Sequence, residues 1–207
     1  MYIIGENIQI LAARIKAAIA DHDPSYIREL ARAQVEHGAK VLDLNIGPRK
    51  RDGVEVMQWM IDEVYDEVGP VPLSLDTTNS AAIEAGLQKC QELGIDAMIN
   101  STSADPDRLN ATMPMAAKYN SKIIALAMDK NIPATADGRV ALAMEVLVPK
   151  AEELGIPMKN IFLDPLVLTV NGCQEHGVET LNAIRSFKML WDPSPMTTVG
   201  LSNISNS

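Results

Sequence analysis

Val41-Leu42-Asp43-Leu44-Asn45-Ile46-Gly47 decides the fold. Its apolar residues stand on successive positions, as in a strand buried on both faces, and it runs out into polar residues and a turn glycine. Asp43 and Asn45 alternate, which places both on one side of the strand. The same pattern recurs outward from it: an apolar run, a polar end, a helical segment, a turn. The other runs are residues 2–5, 71–75, 97–99, 122–127, 160–163 and 197–201. The intervening helices carry end signals. Asp23 is an N-cap candidate with Pro24 at the first helical position, Ile27, Leu30, Ala31 and Val35 form an apolar face, and Gly38 stops it. Asn79 opens a later helix and Gly94 closes it; Asp105-Pro106 opens another, and Asp192-Pro193 ends the last.

Strand–helix alternation with buried strands predicts an α/β fold with a parallel sheet and helices outside. Seven such units point to a (β/α)8 TIM barrel more than to an open doubly wound sheet. No G-x-G-x-x-G follows the first strand and no phosphate-binding G-x-x-x-x-G-K-[ST] occurs. A barrel typically takes ~250 residues. A chain of 207 residues that stops just past the seventh strand is expected to be a single domain, 1–207, with the eighth strand and last helices missing.

Composition narrows the function. The chain is 47% hydrophobic and 22% charged, ordinary for a globular protein and unlike a disordered one. Its 27 acidic against 18 basic residues, with no basic stripe, argue against nucleic-acid binding. There is no signal peptide and no long apolar stretch, so the expectation is a cytoplasmic protein with no membrane contact. Cys90 and Cys173 make no disulfide framework, and His22, His37 and His176 have no metal-ligand spacing, so no bound metal is expected.

In a barrel the active site lies at the C-terminal ends of the strands. Those ends carry Glu6-Asn7, Asp43 and Asn45, Asp76, Asn100, Met128-Asp129, Asp164, and Ser202-Asn203. Carboxylates and carboxamides dominate, and the cation or glycine nest that a phosphate needs is missing. Such a set suits a neutral heterocycle with N–H and C=O edges: a carboxylate accepts two parallel N–H bonds, and Asn donates and accepts at once. An Asp or Asn after a strand also caps the next helix. Capping is the stronger reading for Asn79, Asp105 and Asp129, and site chemistry for Asp76, Asn100, Asp164 and Asn203; for Asp43 and Asn45 the two stand level. His37 and His176 read as exposed helix-end or loop residues and Cys90 as core. The methionines read as packing, with Met128 a candidate pocket wall.

Several of these segments carry a resemblance. Leu42-Asp43-Leu44-Asn45-Ile46-Gly47, Leu75-Asp76-Thr77-Thr78, Ile83-Glu84-Ala85-Gly86-Leu87, Met98-Ile99-Asn100-Ser101, Leu163-Asp164-Pro165-Leu166 and Gly200-Leu201-Ser202-Asn203-Ile204-Ser205 resemble the pterin-binding methyltransferases. Within them the methyltetrahydrofolate:corrinoid protein methyltransferases are most similar. The resemblance implies 5-methyltetrahydrofolate or tetrahydrofolate as substrate, a cobalamin-type corrinoid carried by a partner protein, and a homodimer. By matching motifs it implies that Asp76, Asn100 and Asp164 hold the pyrimidine edge of the pterin. Asn203 would sit beside N5, the methyl-bearing atom, with Gly200 and Ser202 close by; Asn203, Asp76 and Asp164 would be the catalytic set. Glu6, Asp43, Asn45, Met128 and Asn206 form a second line.

The implied chemistry needs no protein nucleophile, because cob(I)alamin is one. The obstacle is a tertiary-amine leaving group at N5, and hydrogen bonds that strengthen as charge develops there supply the help. Three alternatives remain. Dihydropteroate synthase would want a Gly-Gly-Glu-Ser-Thr-Arg-Pro-Gly-like loop after strand two, where Asn45-Ile46-Gly47-Pro48-Arg49-Lys50-Arg51 stands instead. A second alternative is a binding module, a truncated barrel that holds folate without catalysis. An aldolase-like barrel needs a Schiff-base lysine at a strand end, and only Lys122 and Lys130 lie near strand five.

Overall fold

The computed structural model describes residues 2–205 and divides into two compact units, Met1–Asn100 and Ser101–Ser207. In the first unit the elements run β1 (Ile4–Gln9), α1 (Ala13–Asp21), α2 (Ser25–Glu36), β2 (Val41–Asn45), α3 (Gly53–Val68), β3 (Leu73–Asp76), α4 (Ser80–Leu93) and β4 (Ala97–Ser103), which continues into the second unit. All neighbouring strands there pair in parallel. Asp43, Ser74 and Met98 stand in one register row, and Asn45, Asp76 and Asn100 stand two rows further toward the C-terminal ends, on the same face.

Packing assigns the two faces. A Cβ on Gly86 of α4 would come within 2.9 Å of Leu75 Cδ1 and 3.0 Å of Met57 Cγ on α3. Leu75 therefore faces the helices, and Asp76, its neighbour, faces the opposite way. Leu42, Leu44 and Ile99 are fully buried with it, each worth roughly 1.5–3 kcal/mol of burial. On the outside Arg28 and Arg32 of α2 pair with Glu63 and Glu67 of α3.

The first strand departs from expectation. It does not end at Glu6-Asn7 but runs to Gln9, with a bulge between Gly5 and Ile8. The Gln34 side chain explains this: its Oε1 accepts from Asn7 N at 3.0 Å and occupies the space where a Cβ on residue 5 would fall. Only glycine admits it.

The second unit continues with α5 (Pro106–Tyr119), β5 (Lys122–Leu126), α6 (Ala136–Leu142), α7 (Val148–Glu153), β6 (Ile161–Asp164), α8 (Glu175–Met189) and β7 (Met196–Thr197). β5, β6 and β7 pair in parallel. One π turn, Ala143–Leu147, joins α6 to α7; Pro149, which has no N–H to donate, is the second residue of α7. The seventh strand is shorter than its apolar run. It begins one residue earlier and stops at Thr197, and Leu201–Ser205 form a 3-10 turn instead. Among the described residues no helix is long and apolar enough to cross a membrane.

Candidate pterin site

The first unit brings five of the expected residues to one region. Asn100 Nδ2 donates to Asp43 Oδ1 at 3.0 Å. Asn45 Nδ2 donates to Asp76 Oδ2, while Asn45 Oδ1 accepts from Gly47 N at 3.0 Å. Asp43 is buried, and Asn45, Asp76 and Asn100 are half-buried. Burial pushes the Asp43 carboxyl up to about 7, and the Asp76 charge adds to it, with a smaller push from Glu6. The Asn100 bond pulls the other way, as does the Ser74 hydroxyl, buried beside it without a well-formed bond. Glu6 itself lies exposed on β1 at the bulge. The cluster thus combines amide donors and acceptors with a carboxyl that changes charge near neutral pH.

The loops behind it are tied together. Thr77 Oγ1 donates to the Gly47 carbonyl, and Asn79 Nδ2 donates to the Arg49 carbonyl at 2.9 Å. Asn79 Oδ1 also accepts from Ala81 N and Ala82 N, so it caps α4 as expected. Asp105 caps α5 in the same manner, and Asp129 accepts from Asn131 N at 2.8 Å. Arg49 is paired with Asp52, which leaves Lys50 and Arg51 as exposed cations on this loop.

The second unit holds the rest. Asp164 closes β6, is buried, and accepts from Leu166 N at 2.7 Å through Oδ1. Met128, half-buried just after β5, accepts from Ala104 N at 2.7 Å. Ser202 and Asn203 are exposed on the 3-10 turn. Asn203 N donates to the Gly200 carbonyl at 3.0 Å, and a Cβ on Gly200 would lie 3.0 Å from Asn203 Nδ2, so glycine lets that amide fold back. Asn206 lies outside the described residues.

Cys90 is buried core, its thiol pushed up to about 12 by burial. His37 sits exposed at the end of α2, as expected. His176 differs from expectation: it is half-buried against Arg139, 2.7 Å from the guanidinium. Sequence reasoning missed Arg139 altogether. An arginine inside Asp137-Gly138-Arg139-Val140 carries no local sign that it will be buried.

A sequence profile described as pterin binding enzyme matches residues 14–207. The chain belongs to the pterin-binding enzyme family. It is 30% identical over 214 residues to methionine synthase of Mycobacterium tuberculosis, covering 98% of this chain but only 18% of that protein. It is 29% identical over 209 residues to methylcorrinoid:tetrahydrofolate methyltransferase of Eubacterium limosum, covering 99% of this chain and 74% of that one. Among solved structures it is similar to Yersinia pestis DHPS with a pterine-sulfa conjugate, at TM-score 0.65 and 16% identity over 97% of this chain and 72% of that one. It is also similar to dihydropteroate synthase from Xanthomonas albilineans with 7,8-dihydropteroate, at TM-score 0.59 and 20% identity over 97% and 71%. At those identities the likeness shows the fold, and the fold is the α/β TIM-barrel class expected from the strand–helix alternation.

Proposed function

We propose that this pterin-binding enzyme moves a methyl group, in either direction, between N5 of methyltetrahydrofolate and the cobalt of a corrinoid carried by a partner protein. The observation that carries this reading is the paired set Asp43–Asn100 and Asn45–Asp76, polar, uncharged in half its members and free of cations. Support also comes from the similarity to the Eubacterium limosum enzyme. In this reading Asp76, Asn100 and Asp164 hold the N–H and C=O edge of the pterin. Asp76 accepts N–H bonds through an oxygen whose partner Asn45 fixes its rotamer. Asn100 spends its amine on Asp43 and turns its carbonyl to the ligand. Gly200 and Ser202 shape the turn that presents Asn203.

The corrinoid, as second substrate, supplies the electron pair that takes the methyl carbon. The C–N5 bond breaks, its electrons stay on N5, and that nitrogen takes a proton. What the chain's residues contribute is binding, alignment and charge stabilisation. Asn203 places its amide at N5 and bonds more strongly as the nitrogen gains charge. Asp43, with its carboxyl near neutrality, keeps the cluster able to lose or hold one proton as the pterin changes state. The homodimer and a role in one-carbon or demethylation metabolism belong to the same proposal.

The test is methyl transfer from methyltetrahydrofolate to reduced cobalamin by the intact protein, beside synthesis of dihydropteroate from pterin pyrophosphate and p-aminobenzoate. Methyl transfer without dihydropteroate formation is expected. Dihydropteroate formation alone would overturn the reading in favour of a synthase, and folate binding with neither reaction would leave a binding protein.

A further inference from the structure

Among the described residues Arg139 is the largest side chain with no exposed surface. It stands on α6, and its guanidinium is almost fully committed. Nε donates to the Pro133 carbonyl at 3.1 Å, and Nη1 to the Leu166 carbonyl at 3.2 Å and Thr180 Oγ1 at 2.9 Å. Nη2 donates to His176 Nδ1 at 2.7 Å, which requires a neutral imidazole with its hydrogen on Nε2. Burial pushes the Arg139 pKa down, and the charges of Glu179 and Asp164 offset this. A buried cation normally bonds directly to a carboxylate. This one spends its bonds on the loop before α6, on the loop after β6 and on side chains of α8.

The residue it holds is unusual. Leu166 has φ +64°, a left-handed conformation in which its Cβ crowds the following carbonyl oxygen. Such a residue persists only where its surroundings over-determine it. Here both ends of its backbone are bonded. The carbonyl accepts from Arg139, and also from Thr180 Oγ1 at 3.0 Å when that hydroxyl's single proton is not turned to His176 O. The N–H donates to Asp164 Oδ1. The same loop reaches the 3-10 turn, where Val170 N donates to the Ile204 carbonyl at 3.1 Å. A chain of bonds therefore runs from a buried guanidinium, through one strained residue, to a carboxylate at a strand end.

We propose that Arg139 is a positioning residue, which through the Leu166 carbonyl holds the Asp164 carboxylate in the orientation that receives the pterin edge. The inference rests on the reading of Asp164 as a pterin ligand given above. It adds that the affinity of the site is set in part by a residue that never meets the ligand.

The experiment is a double-mutant cycle on methyltetrahydrofolate affinity, with the intact protein, Arg139→Lys, Asp164→Asn and the pair. Lysine keeps the charge but cannot make the fork. Arg139→Lys is expected to weaken binding about fivefold or more in the parent and less than about twofold when Asp164 is already Asn, the non-additivity of residues acting through one another. Thr180→Val, which keeps the guanidinium but removes one of its acceptors together with the hydroxyl's shared bond to Leu166, is expected to show the same pattern at smaller size, and it carries the cycle if Arg139→Lys does not fold. Equal losses in both backgrounds would mean a general structural role and overturn the proposal, as would unchanged affinity in well-folded Arg139→Lys. If Asp164→Asn binds folate like the parent, the pterin reading of Asp164 fails and takes the positioning role with it.

Discussion

Asn100 on β4 reaches across β3 to donate to Asp43 on β2. Strands two apart lie about 9–10 Å from each other, so two short side chains can meet only where the strand between presents something small. Ser74 is that residue: it stands in the register row of Asp43, and its hydroxyl takes little space. The bond closes a buried polar layer above the apolar core. It also makes Asp43 a carboxyl whose titration is set by its fold.

That titration predicts how stability depends on pH. The Asp43 carboxyl is raised from 3.8 to about 7, so between those values the unfolded chain releases a proton that the folded chain keeps. Stability therefore falls as pH rises through that window and levels off above it. The shift corresponds to a penalty on the order of 4 kcal/mol at pH 8. Asp43→Asn is expected to be more stable than the parent at pH 8 and to lose most of the decline between pH 4 and 7. Denaturant melts at several pH values check this; an unchanged pH profile would show that Asp43 is not the group.

Asp76 should act on both binding and titration. Asp76→Ala leaves an Asn45 donor and ligand N–H groups unpaired, a cost of roughly 1–3 kcal/mol, or about five- to 150-fold in folate affinity. Asp76→Asn removes the charge that helps raise Asp43, so the Asp43 titration should move down. Carboxyl infrared or carbon NMR titration reads that second effect without any ligand. Unaltered folate affinity in Asp76→Ala would remove it from the site.

Asn203→Ala separates chemistry from scaffolding. Loss of one preorganised donor at a developing charge typically costs ~10²–10³ in rate. The single-turnover methyl-transfer rate should fall by that order and methyltetrahydrofolate affinity by less. Because the side chain is exposed, little stability should be lost. A normal rate with a lowered melting temperature would return Asn203 to the scaffold.

Lys50 and Arg51 stand exposed on a loop held by Asn79 and Thr77, in a chain of net charge −9. An anionic folate tail is the ligand part such cations suit. Lys50→Gln with Arg51→Gln is expected to leave binding of a folate lacking glutamate unchanged. Each exposed pair is worth up to about 1 kcal/mol, so glutamylated folates should bind up to about fivefold more weakly per charge, with less salt dependence. Equal affinity for both folates before and after substitution would contradict this.

Asn79 links the cap of α4 to that loop. Asn79→Ala should cost about 1–2 kcal/mol in thermal or denaturant unfolding, since it removes the cap and the bond to the Arg49 carbonyl together. Asn79→Asp keeps the cap oxygen and loses only the second bond, so it should recover most of the loss.

The sequence by itself determined the strand–helix order, the helix caps at Asn79 and Asp105, and the polar residues at the strand ends. These follow from alternation, helical period and cap chemistry, which act over a few residues and so remain readable locally. It also placed Asp43 and Asn45 on one face. Only the tertiary structure decided that Asp43 meets Asn100, 57 residues away, and that its carboxyl is raised by burial and by Asp76. The bulge at Gly5 depends on Gln34. The burial of Arg139 depends on carbonyls from the loops before α6 and after β6 and on a histidine of α8. Desolvation and long-range pairing belong to the packed arrangement and to no single segment, so no local pattern carries them.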